Sequence, residues 1–175
     1  FRRVLFRSGF LGEGHAEIKG TGEIGSRNRW IVDPIDGTNN FVHGVPHFAI
    51  SIGLERDGEM VAGVIYNPIS DELFWTEKGV GCFLDTPNAR SRRLRVSGRG
   101  ELGQALVATG IPQMGRGDHP PYLRKLEAVM GKTAGVRRWG AGALDLAFVA
   151  AGRYDAFFEF GLAPWDVAAG ALMVR

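Results

Sequence analysis

Residues 30–38 read Trp30-Ile31-Val32-Asp33-Pro34-Ile35-Asp36-Gly37-Thr38. The apolar start predicts a short strand, Trp30 to Val32, that ends at Asp33. Pro34 fixes its own φ at about −65° and pushes Asp33 towards extended backbone. Gly37 permits a sharp turn. The stretch therefore predicts a strand running into a rigid turn that carries two carboxylates, the free carbonyl of Ile35 and the hydroxyl of Thr38. Mg²⁺ takes oxygen ligands of this kind. A helix starting after Thr38 would add free N–H groups that favour a phosphate.

Upstream, residues 12–29 are rich in glycine and charge and read as a loop. Downstream, Phe48 to Leu54 reads as a strand, Glu55 to Glu59 as a hairpin turn with Gly58 at the permissive position, and Met60 to Tyr66 as the return strand. Asn67-Pro68 marks the next turn. Glu72 to Thr76, Gly81 to Leu84 and Leu94 to Val96 complete an antiparallel meander. A soft boundary near residue 100 follows. Ala105 to Thr109 predicts a strand, Met114 to Pro121 a polar loop, and Tyr122 to Met130 a helix stopped by Gly131. Ala143 to Ala151 predicts a helix and Tyr154 to Phe160 a strand. Pro164 opens a last helix through Ala168, Ala169 and Ala171. Sheet first, then alternating strand and helix, predicts an α+β fold.

The 175 residues are 45% hydrophobic and 23% charged, an ordinary globular composition. No apolar run is long enough to suggest a membrane span. The one cysteine, Cys82, excludes an intramolecular disulfide and a cysteine metal cluster, and sits in an apolar run that predicts burial. It fits a reducing compartment, and a cytoplasmic location is expected. Residues 1–8 hold three arginines and no acid; without them the net charge falls from +2 to −1. This stretch is read as a non-native leader, with a native basic strand as the alternative, and either way the basic charge is weak support for nucleic-acid binding.

Asp166, in Pro164-Trp165-Asp166, falls in the first turn of the last helix. Alone it reads as a helix cap; beside the first turn it reads better as a third metal carboxylate. Clustered carboxylates repel one another, and divalent ions make the clustering tolerable. Paired ions can clamp a phosphate and activate a water. The chain has no Gly-x-x-x-x-Gly-Lys loop, no Gly-x-Ser-x-Gly elbow and no His-Glu-x-x-His. His43 and His47 read as packing or loop residues, His15 and His119 as exposed, and Trp139, Phe157 and Phe158 as core.

Two signatures, Trp30 to Phe41 continuing through Pro46 to Gly53, and Pro164-Trp165-Asp166-Val167-Ala168-Ala169-Gly170, resemble the inositol monophosphatase family of Mg²⁺-dependent, lithium-sensitive phosphatases. The similarity covers roughly residues 9–175 and includes Gly140 to Leu146 and Ala151 to Asp155. It implies a layered sandwich of alternating sheet and helix, of the sugar phosphatase type and incomplete, with one lobe over residues 9–100 and a second over 101–175. It implies that Glu13, Asp33, the Ile35 carbonyl, Asp36 and Asp166 bind two or three Mg²⁺ ions. Gly37 and Thr38 would hold the phosphate, with Thr38 orienting the attacking water and Asp36 at the catalytic centre. Glu159 would meet substrate hydroxyls, and Gly140, Ala141 and Gly142 would line the pocket, where Asp166 also meets substrate. Glu13 rests on this resemblance alone. The expected reaction is hydrolysis of inositol monophosphate, with Li⁺ as inhibitor and a homodimer at full length. The alternatives are a histidinol-phosphate, fructose-1,6-bisphosphate or 3′-phosphonucleotide phosphatase, or a non-catalytic relative that contacts RNA or transcription machinery.

Departures from the family pattern are Gly14 in place of a second acid and Gly140-Ala141-Gly142-Ala143 in place of a hydroxyl-bearing run. The resemblance also implies that helices precede this stretch, one carrying an aspartate partner for the Thr38 hydroxyl, and that strands follow Arg175. Weak stability and poor activity are expected of the stretch alone, because core-facing surfaces lose their cover.

Overall fold

A computed structural model describes residues 7–112 and 117–175. The leader reading of residues 1–6 and the loop reading of 114–116 lie outside the described residues. Two sheets organise the rest. The larger has seven strands in chain order: β1 (Gly9–Gly12), β2 (Asn28–Asp36), β3 (Ala49–Arg56), β4 (Glu59–Asn67), β5 (Glu72–Glu77), β6 (Gly81–Thr86) and β7 (Ala89–Arg93). β1 pairs parallel to β2, and every later pairing is antiparallel. Helices α1 (Gly22–Arg27) and α2 (Thr38–Val42) flank β2. The smaller sheet is parallel, in the order β10 (Ala156–Phe158), β8 (Leu106–Thr109), β9 (Gly135–Arg137). Its helices are α3 (His119–Met130), α4 (Gly142–Ala150) and α5 (Pro164–Val174).

Register decides which side chains reach the core. Asp33, Ser51, Ile65, Phe74 and Leu84 stand opposite one another across five strands, and all are buried. The neighbouring row on the same face is Ile31, Gly53, Gly63, Thr76 and Cys82. The two glycines let α5 lie flush on the sheet. A Cβ on Gly63 would stand 2.9 Å from the Ala169 Cα, and one on Gly53 3.1 Å from the Ala168 Cβ. Side chains of opposite parity, Val32, Ile52, Val64, Trp75 and Phe83, point to the other face and are half-buried, with Trp75 and Phe83 stacked at 4.5 Å.

α4 lies beside α5 and joins the layers, touching β3 and β4 on one side and β8 and β10 on the other. Ala108 of β8 packs with Val149 and Tyr154, while Thr109, of opposite parity, meets the Tyr122 hydroxyl of α3 at 3.3 Å. Helices thus lie on both faces of the central strand β8, whose residues Val107, Ala108 and Thr109 are all buried. The result is the expected α+β layering of sheet, helix pair, sheet and helix.

The structure departs from the sequence reading in several places. The loop at residues 12–29 contains α1 and follows a strand, β1, that glycine and charge concealed. The strand expected at Leu94 to Val96 lies earlier, at Ala89–Arg93. Leu94 follows β7; its N–H donates to the Cys82 carbonyl at 2.8 Å and its side chain is buried. All five β7 residues are exposed, and their arginines suit an edge strand that must not pair with another chain. Trp139 is 49% exposed rather than core: it tilts over the His47 ring at 5.3 Å. Phe157 and Phe158 are half-buried, because β10 is a three-residue strand at the sheet edge.

Candidate active site

β2 carries the predicted turn as its own last residues. In a regular strand Asp33 and Asp36, three apart, would face opposite sides. The pairing shifts register between them: Asp33 stands opposite Ser51, and Asp36 opposite Ala49. This bulge sets two residues of β2, Pro34 and Ile35, against Ile50 alone and returns Asp36 to the inner face. Asp33 is 2% exposed and Asp36 8%. The bend itself falls at Gly37, with φ +90°.

Each aspartate is anchored by one oxygen. The Ile35 N–H donates to Asp33 Oδ1 at 3.0 Å, the Ala143 N–H in the first turn of α4 to Asp36 Oδ2 at 2.8 Å, and the Ala163 N–H to Asp166 Oδ2 at 2.6 Å. Asp166 therefore does cap α5, and it also faces the cavity described below. The Thr38 hydroxyl donates to the Ile35 carbonyl at 2.9 Å. Asn40 Nδ2 donates to the carbonyls of His47 and Trp139, both at 2.7 Å, and so laces the β2 turn to the loop before α4.

These residues surround one cavity of about 320 Å³. Glu13, Asp33, Ile35, Asp36, Gly37 and Thr38 line it together with Gly140, Gly142, Glu159 and Asp166. Glu13 arrives because β1 runs parallel to β2 with Gly12 opposite Val32, and its N–H donates to the Val32 carbonyl at 3.2 Å. Ala141 is the exception: it is 1% exposed behind the wall, with its methyl towards Gly37.

Burial and mutual repulsion raise the Asp33, Asp36 and Glu159 carboxyls of the cavity. Burial, then the Glu13 charge, pushes the Asp33 carboxyl up to about 7. Burial, then the charges of Asp33, Asp166 and Glu159, outweighs the Ala143 N–H and pushes Asp36 up to about 7. Burial and Asp166 raise Glu159. Among the described residues none of Asp33, Asp36 and Glu159 forms an ion pair. Buried carboxylates with no cationic partner are the donor set a hard divalent ion requires. No three acid, histidine or cysteine side chains among the described residues converge into a ready-made cage, so the acids share a cavity wall.

Two charged wall residues escaped the sequence reading. Asp145 is 1% exposed within α4, whose other residues are all glycine or apolar. Its Oδ1 has no hydrogen-bond partner, and burial with the Asp36 and Glu159 charges pushes it up to about 8. An unpartnered buried polar group costs about 1–3 kcal/mol, and a lone acid in an apolar helix was the available signal. Arg138, exposed at the rim, is the one cation among the described wall residues.

The model of the inositol monophosphatase family matches residues 2–175. The chain belongs to the inositol monophosphatase family. It is 56% identical over 167 residues to an inositol-1-monophosphatase of Rhizobium meliloti (strain 1021), covering 95% of this chain and 60% of the relative. It is 49% identical over 178 residues to the Nus factor SuhB of Pseudomonas aeruginosa, covering 99% and 63%. The crystal structure of the extragenic suppressor protein suhB from Bartonella henselae superposes with a TM-score of 0.90 at 51% identity, covering 99% of this chain and 63% of that one. The chain thus spans about 60% of the length of the family members it matches. No helix among the described residues is long and apolar enough to cross a membrane.

Proposed function

We propose that this chain carries the active site of a Mg²⁺-dependent phosphatase for small phosphate monoesters, with inositol monophosphate as the substrate. The observation that carries the reading is the convergence of Glu13, Asp33, Asp36, Glu159 and Asp166 on one cavity, with the buried Asp33 and Asp36 carboxyls raised to about 7. Glu13, Asp33, the Ile35 carbonyl, Asp36 and Asp166 would hold Mg²⁺. When bound, the metal supplies the positive charge that offsets these acids and the phosphate, and it lowers the pKa of water.

The chain's own groups do the rest. Gly37 brings backbone to the cavity with no side chain in the way, and the backbone N–H groups of Gly37 and Thr38 would receive the phosphate. The Thr38 hydroxyl gives its proton to the Ile35 carbonyl. Towards the cavity it can therefore only accept, which suits it to orient a water by taking a hydrogen bond from it. That water's oxygen joins phosphorus as the water gives up a proton, the bond to the alcohol oxygen breaks, and the alcohol leaves with a proton, so that one water is consumed overall. Asp36 is held at the centre by Ala143, and Glu159 faces the alcohol portion. The family relatives named inositol-1-monophosphatase support inositol monophosphate over the other esters.

Phosphate release from a panel of inositol, histidinol, fructose and nucleotide phosphates, with and without Mg²⁺, tests the reading. Release that requires Mg²⁺ and is fastest with inositol monophosphate is expected. A cooperatively folded protein with no Mg²⁺-dependent release would sink it. Relatives named Nus factor SuhB favour a second reading, a regulatory protein that contacts RNA. Salt-sensitive RNA retention in a gel shift, without turnover, would select that one.

A further inference from the structure

The carboxyls of the cavity fall into two kinds. Asp33, Asp36 and Asp166 each commit an oxygen to a backbone N–H. Asp145 and Glu159 make no side-chain hydrogen bond to any described residue, although Glu159 is half-buried and Asp145 is 1% exposed. They lie on the same part of the wall. Glu159 Oε2 stands 3.6 Å from where a Cβ on Gly142 would be, and Asp145 follows three residues later on α4. The Glu159 carboxyl also lies against the Cα of Gly110, where any Cβ would overlap it, so glycine there keeps this corner open. Asp145 lines the cavity while almost wholly buried, so a ligand meets one edge of it.

A core role accounts poorly for Asp145. Its neighbours Ala143, Leu144 and Ala147 are fully buried and apolar, and an apolar residue would complete that helix face with no unpartnered oxygen. Buried polar groups in native proteins have partners, so an exception facing a cavity marks what the cavity holds. Oxygens left without N–H donors match a ligand rich in hydroxyl donors.

We propose that Asp145 is a specificity-determining residue that pairs with Glu159 to accept two hydroxyl groups of a polyol phosphate. The inference rests on the phosphatase reading and deepens it. It states that the preferred ester carries at least two free hydroxyls on its alcohol portion, and that simple aryl phosphates bind without using this corner. Sites built to hydrogen-bond a substrate hydroxyl discriminate strongly against analogues that lack it, because the site's own polar groups are then left unpaired.

The test compares kcat/KM for inositol 1-phosphate and for phenyl phosphate, in Mg²⁺, in the wild type, Asp145→Ala and Asp145→Asn. Calorimetric binding of free inositol is measured alongside. The expected result is a loss of at least tenfold on inositol 1-phosphate in Asp145→Ala, with phenyl phosphate changed less than twofold and inositol binding weakened in parallel. Asp145→Asn, which keeps an accepting oxygen, recovers part of the loss. Equal losses on both esters, or unchanged ratios with a raised Tm, would overturn the proposal in favour of a packing role. Failure of the phosphatase reading shows separately, as a wild type that releases phosphate from neither ester. Inositol binding unaffected by Asp145→Ala would then overturn the proposal on its own.

Discussion

Replacing Asp36 by asparagine separates the electrostatic cost of this site from its chemistry. The amide oxygen of the new side chain can still accept the Ala143 N–H that Asp36 Oδ2 accepts at 2.8 Å, so the anchor to α4 survives. What disappears is a carboxyl held at about 7 rather than 3.8, chiefly by burial. The sign follows from linkage. An acid whose folded pKa is raised leaves the protein most stable below the unfolded value of 3.8, and stability falls as pH climbs from there to about 7. At about 1.4 kcal/mol per pH unit, the whole loss is about 4 kcal/mol. Roughly 1 kcal/mol of that is already gone at pH 4.5. The variant does not titrate there, so its advantage over the wild type should widen by about 3 kcal/mol between pH 4.5 and pH 8. Asp33 and Asp145 titrate in both proteins and largely cancel in the difference. Urea unfolding in EDTA at the two pH values measures the gap. Mg²⁺ at pH 8 should narrow it by stabilising the wild type more than the variant, which keeps Glu13, Asp33 and Asp166 but lacks one carboxylate ligand, by the ordinary mass action of a ligand that binds only the folded state. Turnover should be abolished. Parallel stability curves, or a less stable variant at pH 8, would refute the claim that Asp36 is a buried charge awaiting a cation.

Two further substitutions test how the site is held. Gly63→Val places a branched side chain where even a Cβ stands 2.9 Å from the Ala169 Cα. It should cost about 1–3 kcal/mol by overpacking and lift α5 with Asp166, seen as a lower Tm and a fall in kcat together. Asn40→Ala removes both donors that tie His47 and Trp139 to the β2 turn. A loss of about 1–3 kcal/mol in urea unfolding and a raised KM are expected; an unchanged KM would show that the two loops hold their positions independently.

The meander was legible because its information is local. Alternating apolar residues, the Asp57-Gly58 hairpin and the Asn67-Pro68 turn each act within a few residues. Helices α3, α4 and α5 were legible for the same reason, through periodicity and their proline and glycine boundaries. β1 was not, because a four-residue strand of Gly-Phe-Leu-Gly has its identity only from the parallel partner β2. The β7 strand was displaced in the reading because Leu94 carries the apolar signal, although it is buried just past β7, where its N–H meets the Cys82 carbonyl and it joins the core cluster of Cys82 and Leu84. Trp139 misled for a related reason: bulk and hydrophobicity predict burial on average, whereas this side chain covers His47 from outside.

By itself the sequence determined which chemical groups are present and which local turn presents two of them. Pro34 fixes a backbone dihedral and Gly37 permits one that other residues avoid, so Asp33 to Thr38 could be read as an oxygen-rich turn without knowing any neighbour. Only the tertiary structure decided that Asp33 and Asp36 share a face, since that depends on a register shift against β3. It also brought Glu13 beside them through a parallel pairing, and Asp166 to the same cavity on a helix seated by Gly53 and Gly63. The fate of Asp145 was decided there too. A carboxyl's meaning depends on its solvent and its partners, and both are set by segments that only folding brings together, as Ala143 is brought to Asp36.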